Sequence, residues 1–231
     1  DITLTTPPAV NLGADAAICS GSSTTLDAGD PGSGTTYSWL PGGQTTRTIS
    51  VNTAGTYTVT VTRNGCSASD SKDITLTTPP AVNLGADAAI CSGSSTTLDA
   101  GDPGSGTTYS WSTGATTRTI SVNTAGTYTV TVTRNGCSAS DSKDITLTTP
   151  PAVNLGADAA ICSGSSTTLD AGDPGSGTTY SWSTGATTRT ISVNTAGTYT
   201  VTVTRNGCSA SDSKDITLTT PPAVNLGADA A

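Results

Sequence analysis

Residues 126–136 read Gly-Thr-Tyr-Thr-Val-Thr-Val-Thr-Arg-Asn-Gly. From Thr127 to Thr133 polar and apolar positions alternate without a break. Tyr128, Val130 and Val132 fall on one face and four threonines on the other. Side chains alternate sides along a strand, so this period of two predicts a half-buried β-strand. Asn135-Gly136 directly behind it is the signal for a two-residue hairpin. The same alternation recurs nearby. Leu98 and Ala100 share a face in 95–100, Tyr109 and Trp111 in 107–112, Ile120 and Val122 in 117–123, and Ile145 and Leu147 in 145–148. The segment 81–87 is read as a further, first strand. Between these runs lie turn residues, Gly-Asp-Pro-Gly-Ser-Gly at 101–106 and Thr-Ala-Gly at 124–126. No period of 3.6 occurs, so six or seven short strands predict an all-β sandwich.

The unit is repeated. Asp-Ile-Thr-Leu-Thr-Thr-Pro-Pro-Ala-Val-Asn-Leu-Gly-Ala-Asp-Ala-Ala starts at Asp1, Asp73, Asp144 and Asp215, at offsets of 72, 71 and 71 residues. The extra residue lies after Trp39, where Leu40-Pro41-Gly42-Gly43-Gln44 stands for Ser112-Thr113-Gly114-Ala115. A period near 71 suits a small sandwich module better than a solenoid turn. The modules are expected at 9–78, 81–149 and 152–220, joined by Pro-Pro linkers at 79–80 and 150–151. Residues 1–8 read as the end of a preceding repeat, and 221–231 as a linker and the start of the next. The chain therefore reads as part of a longer tandem array, and end-to-end modules on stiff proline linkers predict an elongated rod.

Composition excludes much chemistry. The 231 residues are 33% hydrophobic, 11% charged and 4% aromatic, with 26 Gly and 12 Pro. There is no His, Glu, Met or Phe, and all 17 acidic residues are Asp. Without His there is no Ser-His-Asp triad and no His-ligated zinc. A formal charge of −8 repels nucleic acid. No apolar run approaches the ~20 residues that span a bilayer. The chain reads as a non-catalytic protein without a cofactor.

Six cysteines fall two to a module: Cys19 and Cys66, Cys91 and Cys137, Cys162 and Cys208. A core of about a dozen apolar side chains is thin, so a covalent staple is expected. Pairing within each module would close loops of about 46 residues, worth roughly 4 kcal/mol in the chain-entropy model. Pairing across a linker, as in Cys66 with Cys91, is the alternative. Either pairing implies an extracellular, secreted protein.

The aromatic residues Trp39, Tyr57, Trp111, Tyr128, Trp182 and Tyr199 are assigned to the core. Asn123-Thr-Ala-Gly-Thr-Tyr128 matches a tyrosine corner, in which the hydroxyl bonds to backbone upstream; the plain alternative is a packed aromatic. An exposed Trp111 would instead offer a stacking platform for sugars. Asp87, Asp99 and Asp102, together with Asp141 and Asp144, are the carboxylates that a calcium ion could use. No Asp-x-Asp-x-Asp-Gly loop surrounds them, and Asp in turns is ordinary, so no metal is expected. Lys143 reads as a solvated strand residue, the alternative being an isopeptide cross-link. Ser and Thr make up 26 of the 71 residues of 73–143. They suit solubility, O-glycosylation or lateral packing.

The ordered set Val82-Asn-Leu-Gly-Ala-Asp-Ala-Ala-Ile-Cys91-Ser-Gly, Thr97-Leu-Asp-Ala-Gly, Tyr109-Ser-Trp-Ser-Thr-Gly, Gly126-Thr-Tyr-Thr-Val-Thr-Val and Asn135-Gly-Cys137 resembles repeats in large Bacteroidota surface proteins. Those repeats are immunoglobulin-like and PKD-like modules of gliding-motility adhesins exported by type IX secretion. The Trp-Asp-Phe-Gly-Asp-Gly core of PKD modules is not kept, only Trp111 and Gly114 corresponding. The resemblance implies a disulfide-bonded stalk, adhesin or filament at the cell surface. Its implied partners are neighbouring modules, sister chains and a surface glycan or other cell-surface ligand. The alternatives are an array of carbohydrate-binding modules, or a spacer in a larger secreted enzyme.

Overall fold

The computed structural model describes residues 5–220 and 222. The remaining residues of the expected terminal segments 1–8 and 221–231 lie outside the described residues. Among the described residues all regular structure is β. The first repeat forms β1 (Ala16–Cys19), β2 (Thr24–Asp27), β3 (Thr36–Leu40), β4 (Thr48–Val51), β5 (Gly55–Arg63) and β6 (Cys66–Thr77). The second forms β7 (Ala88–Cys91), β8 (Thr96–Asp99), β9 (Thr108–Trp111), β10 (Thr119–Val122), β11 (Gly126–Arg134) and β12 (Cys137–Thr148). The third forms β13 (Ala159–Cys162), β14 (Thr167–Asp170), β15 (Thr179–Trp182), β16 (Thr190–Val193), β17 (Gly197–Arg205) and β18 (Cys208–Thr219).

Each repeat is a two-sheet sandwich. In the first, a four-stranded sheet of order β1-β6-β5-β3 faces the pair β2-β4. The second and third repeat this order as β7-β12-β11-β9 with β10-β8, and β13-β18-β17-β15 with β14-β16. The last strand of each repeat has two partners in succession. Its first half runs antiparallel to β5, Cys66 opposite Arg63 through Ile74 opposite Gly55. Its second half runs parallel to β1, from Ile74 opposite Ala16 to Thr77 opposite Cys19. Parallel pairing of a first strand with the last, and an orthodox antiparallel remainder, give three immunoglobulin-like modules in tandem.

Two compact units appear, one of Asp1–Gly85, Asp99–Ile120 and Tyr128–Ser142, the other of Ala86–Leu98, Ser121–Thr127 and Lys143–Ala231. The core of the first unit's complete repeat holds Leu12, Leu26, Trp39, Ile49, Val51, Tyr57, Val59, Val61 and Ile74. The second unit repeats it with Leu155, Leu169, Trp182, Val193, Tyr199, Val201, Val203 and Ile216. No cysteine belongs to either cluster. Immunoglobulin domains carry their second cysteine two residues after the corner tyrosine. Here that position is Val59, fully buried, and a hydrophobic side chain fills the place of the sulfur.

Three expectations are corrected. First, 81–87 is not a strand; the first strand begins at Ala88. Leu84 lies just before it with its amide bonded to the Asp141 carboxylate at 2.7 Å, a side-chain contact that stands in for a ladder. Second, 145–148 is only the end of β12, which begins at Cys137. The half from Cys137 to Asp144 is almost devoid of apolar residues, and period-two reading has nothing to register there.

Third, the disulfides do not close within modules. Cys19 bonds to Cys137 and Cys91 to Cys208. Cys19 lies opposite Thr77 at the end of β6, whereas Cys66 opens that strand. Eleven residues of extended chain separate the two ends, roughly 36 Å at about 3.3 Å per residue. A disulfide tolerates about 7 Å between Cα atoms, so pairing Cys19 with Cys66 is geometrically excluded. The same holds for Cys91 with Cys137 and for Cys162 with Cys208. The cross-linker alternative, Cys66 with Cys91, does not occur either.

Candidate functional site: the disulfide clasps

Two turns present the bonded sulfurs. The second cysteine of each repeat follows an Asn-Gly hairpin. Asn135 and Gly136 have φ of 51° and 78°, and Asn206 and Gly207 have 50° and 77°. Positive φ at both central residues marks a type I′ turn, whose twist matches that of the flanking strands. The sequence therefore places Cys137 and Cys208 at the tip of the longest hairpin of each module. The first cysteine ends a four-residue strand and opens a tight turn. The Ser22 amide donates to the Cys19 carbonyl at 2.9 Å, and Gly21 takes φ of 88°. The Ser20 amide donates to Thr77 O at 2.9 Å, locking this turn onto the end of β6.

In the first unit these turns meet. Cys19 and Cys137 have Cα atoms 5.6 Å apart. Cys19 Sγ lies 3.8 Å from Gly136 O, and Cys137 Sγ lies 3.8 Å from Thr77 O. The second unit repeats the arrangement. Cys91 and Cys208 have Cα atoms 5.6 Å apart, with Cys91 Sγ 3.8 Å from Gly207 O and Cys208 Sγ 3.7 Å from Thr148 O. Cys137 and Cys208 are each only 2% exposed. Each clasp thus ties the end of one repeat's sheet to the hairpin tip of the following repeat. Cys66 and Cys162 are unbonded, the former half-buried and the latter exposed.

Below the clasp the last strand anchors the entry of the chain. Asp70 accepts the Leu12 amide at 2.7 Å, and Lys72 donates to the Leu12 carbonyl at 3.0 Å. Asp212 and Lys214 hold Leu155 in the same way, at 2.7 and 3.0 Å. These lysines bind backbone rather than facing solvent, and each long side chain thereby fixes a segment that forms no ladder.

The aromatic candidates are buried. Trp39, Trp111 and Trp182 are 0–3% exposed. Each indole donates at 2.8 Å to a backbone carbonyl, of Thr46, Thr117 and Thr188 respectively. No tryptophan face is open to a sugar. The Tyr57 hydroxyl bonds back to Thr53 O at 3.1 Å and the Tyr199 hydroxyl to Thr195 O at 3.0 Å, the geometry of a tyrosine corner. Tyr128 is 8% exposed.

The acidic candidates have other partners. Asp99 accepts both forks of Arg118 at 2.8 Å, and the Gly101 amide at 2.8 Å. Those bonds, the Arg118 guanidinium foremost, hold its carboxyl below the usual carboxylate range. Asp27 with Arg47 and Asp170 with Arg189 behave alike. Asp102 accepts the Gly104 amide, and Asp87 the Asp144 amide, each at 2.9 Å. Asp141 binds Leu84, and Asp144 accepts the Thr127 hydroxyl. Among the described residues no three Asp or Cys side chains converge as metal ligands would.

No protein-family model and no curated protein matches the chain. Several solved structures are similar to it. The titin I-band fragment I67–I69 is 16% identical with a TM-score of 0.45, covering 94% of this chain and 100% of that one. Extracellular domains 3–5 of Drosophila OTK are 12% identical with a TM-score of 0.38, covering 92% and 99%. The N-terminal eight Ig domains of Down Syndrome Cell Adhesion Molecule are 14% identical with a TM-score of 0.30, covering 89% and 40%. These likenesses are weak, and the immunoglobulin-like fold stands on its own strand order, buried tryptophan and tyrosine corner.

Proposed function

We propose that this chain is a non-catalytic structural segment of an extracellular stalk, adhesin or filament, in which each repeat is covalently locked to the next. The observation that carries the reading is the clasp. Two disulfides join sequence neighbours and none closes a module. A binding domain gains nothing from such bonds, whereas a stalk gains a fixed succession of modules. Oxidised cysteines fit a secreted protein at the cell surface. Near-identical repetition multiplies length and avidity rather than turnover. The resemblance to Bacteroidota gliding-motility repeats, exported by type IX secretion, agrees with this role. Among the described residues no helix is long and apolar enough to cross a membrane. The outward threonines and serines, with the exposed aspartates among them, are the surface through which sister chains or a cell-surface ligand would be met. Burial of all three tryptophans removes the best platform of the carbohydrate-binding alternative.

Peptide mapping of the secreted protein without reductant tests the clasp, with Cys19–Cys137 and Cys91–Cys208 as the expected linked peptides. Deleting whole repeats should shorten the surface fibre and weaken attachment in proportion. Cys91–Cys137 peptides, or attachment indifferent to repeat number, would overturn the reading.

A further inference from the structure

Each clasp joins one accessible sulfur to one sheltered sulfur. Cys137 and Cys208 are 2% exposed, whereas their partners Cys19 and Cys91 are half-buried. The contacts around the sulfurs divide in the same way. Cys19 Sγ and Cys91 Sγ meet Gly136 O and Gly207 O, each at 3.8 Å, on the exposed side of the clasp. Cys137 Sγ and Cys208 Sγ lie 3.8 and 3.7 Å from Thr77 O and Thr148 O on its part-buried side. We propose that the clasps are latches that a small thiol opens from one side, adding at Cys19 or Cys91 and leaving both repeats folded. The inference rests on the clasped stalk and adds a means of releasing it.

Access decides the direction of opening. An attacking thiolate bonds to one sulfur of a disulfide and expels the other, and which sulfur it strikes depends on approach. Attack on Cys19 needs only the surface on which that residue already opens. Attack on Cys137 needs a path to a sulfur that the end of β6 lies against at Thr77. Both clasps show the same asymmetry, so it belongs to the design of the joint rather than to one copy of it.

Neither half needs the bond to hold its shape. Each half also occurs once as an unbonded thiol, with the same local structure. Cys66 follows the same type I′ hairpin, Asn64 and Gly65 having φ of 48° and 78° against 51° and 78° at Asn135 and Gly136. Its sulfur lies 3.6 Å from Thr5 O, as that of Cys137 lies 3.8 Å from the equivalent Thr77 O. Cys162 keeps the turn of Cys19. The Ser165 amide donates to Cys162 O and the Ser163 amide to Thr219 O at 2.9 Å, as Ser22 and Ser20 do to Cys19 O and Thr77 O. A thiol released at Cys137 therefore has its acceptor, Thr77 O, in place, and the turn at Cys19 carries an adduct without rearranging.

The co-reactant is a small-molecule thiol. Its thiolate bonds to Cys19 Sγ, the bond between the two cysteine sulfurs breaks, and the electron pair leaves on Cys137, which takes a proton from solvent. A second small thiolate attacks the small-molecule sulfur of the adduct and expels the Cys19 thiolate, which is protonated in turn. Two small thiols are oxidised to one disulfide, and the clasp is reduced by two electrons. The same steps in reverse close the latch.

The test uses the oxidised 231-residue chain, with Cys66 and Cys162 first capped by iodoacetamide. It is exposed briefly to reduced glutathione in native buffer, quenched with N-ethylmaleimide in urea and digested without reductant. The expected early products carry glutathione on Cys19 and Cys91 and maleimide on Cys137 and Cys208, with tryptophan fluorescence native throughout the exposure. Glutathione on Cys137 or Cys208 in equal or greater yield would overturn the proposal. Linked peptides that survive unless urea accompanies the thiol would overturn it too, since opening would then require unfolding. The untreated digest judges the stalk reading separately. Absence of Cys19–Cys137 and Cys91–Cys208 peptides there sinks both readings, whereas their presence with adducts on the sheltered side sinks the latch alone.

Discussion

Trp39 occupies the middle of its module with no exposed surface and its single donor satisfied by Thr46 O. Truncation to Ala removes the largest side chain of a thin core, at a cost of about 3–5 kcal/mol. Urea titration should find that repeat unfolded or near its midpoint, with Trp111 and Trp182 fluorescence native. Tyr57→Phe tests the corner. It deletes a hydroxyl bonded to both Thr53 O and Thr53 Oγ1, and should cost about 1 kcal/mol. The Asp27, Asp99 and Asp170 carboxyls are held low by Arg47, Arg118 and Arg189. A depressed carboxyl contributes stability above its unfolded pKa, near 3.9, and loses it as pH falls through its folded value. Arg47→Gln should therefore destabilise its module slightly at pH 7. The difference from the parent, read from urea midpoints, should close as pH falls below about 4, and should shrink in salt because the pair is exposed. Burial of the tryptophan was legible in the sequence, and the tyrosine corner was one of two readings it left open, whereas the pairing of Asp99 with Arg118 was not, because Asp99 ends one strand, Arg118 precedes another, and no local pattern joins them.

At the scale of elements, the strands with apolar residues at every second position were legible to within a residue or two. The polar half of β6 and its equivalents was not. Thr60 and Thr62 stand opposite Ser69 and Ser67 and bond them at 3.0 and 2.7 Å. Hydroxyl pairs across a hairpin hold a ladder as apolar pairs do, but they leave no hydrophobic period to read. Pairing of Cys91 with Cys137 followed from counting two cysteines to a module, and with that half unseen nothing in the sequence showed that β12 sets them at opposite ends. The parallel partnership of β7 with the end of β12 is what moves Cys91 to the far end of its module. Sequence separation carries no such information. The Asn-Gly turn that aims the second cysteine is itself testable. Gly136 takes φ of 78° with open space where a Cβ would go, so Gly136→Val is opposed by backbone conformation alone. We expect a loss of about 1–2 kcal/mol and slower formation of the Cys19–Cys137 bond in timed thiol trapping.

For the whole molecule, the first and third repeats keep their apolar clusters apart from the clasps, although the clasp sulfurs of Cys137 and Cys208 are themselves buried. These two clusters contain no sulfur, so reduction should leave Trp39 and Trp182 fluorescence native at 25 °C while lowering the thermal midpoint through loss of cross-linking. Unfolding on reduction alone would contradict this. The overlap of the two disulfides has another outcome, visible when the chain is pulled by its ends. Along the backbone, 189 residues separate Cys19 from Cys208. Through the sulfurs the route is shorter: across to Cys137, back along 46 residues to Cys91, and across again to Cys208. Fully drawn out, 46 residues reach about 165 Å, against ~680 Å for 189, at ~3.6 Å per residue. Residues 20–90 and 138–207 run parallel to that route between the same two junctions and are still slack when it is taut. Between Cys19 and Cys208 an oxidised tether should stretch to roughly a quarter of its reduced contour and then stop, a limit that optical-tweezer traces with and without dithiothreitol would show directly. The array is an inextensible cord whose give is set by sulfur, whatever happens to its folds.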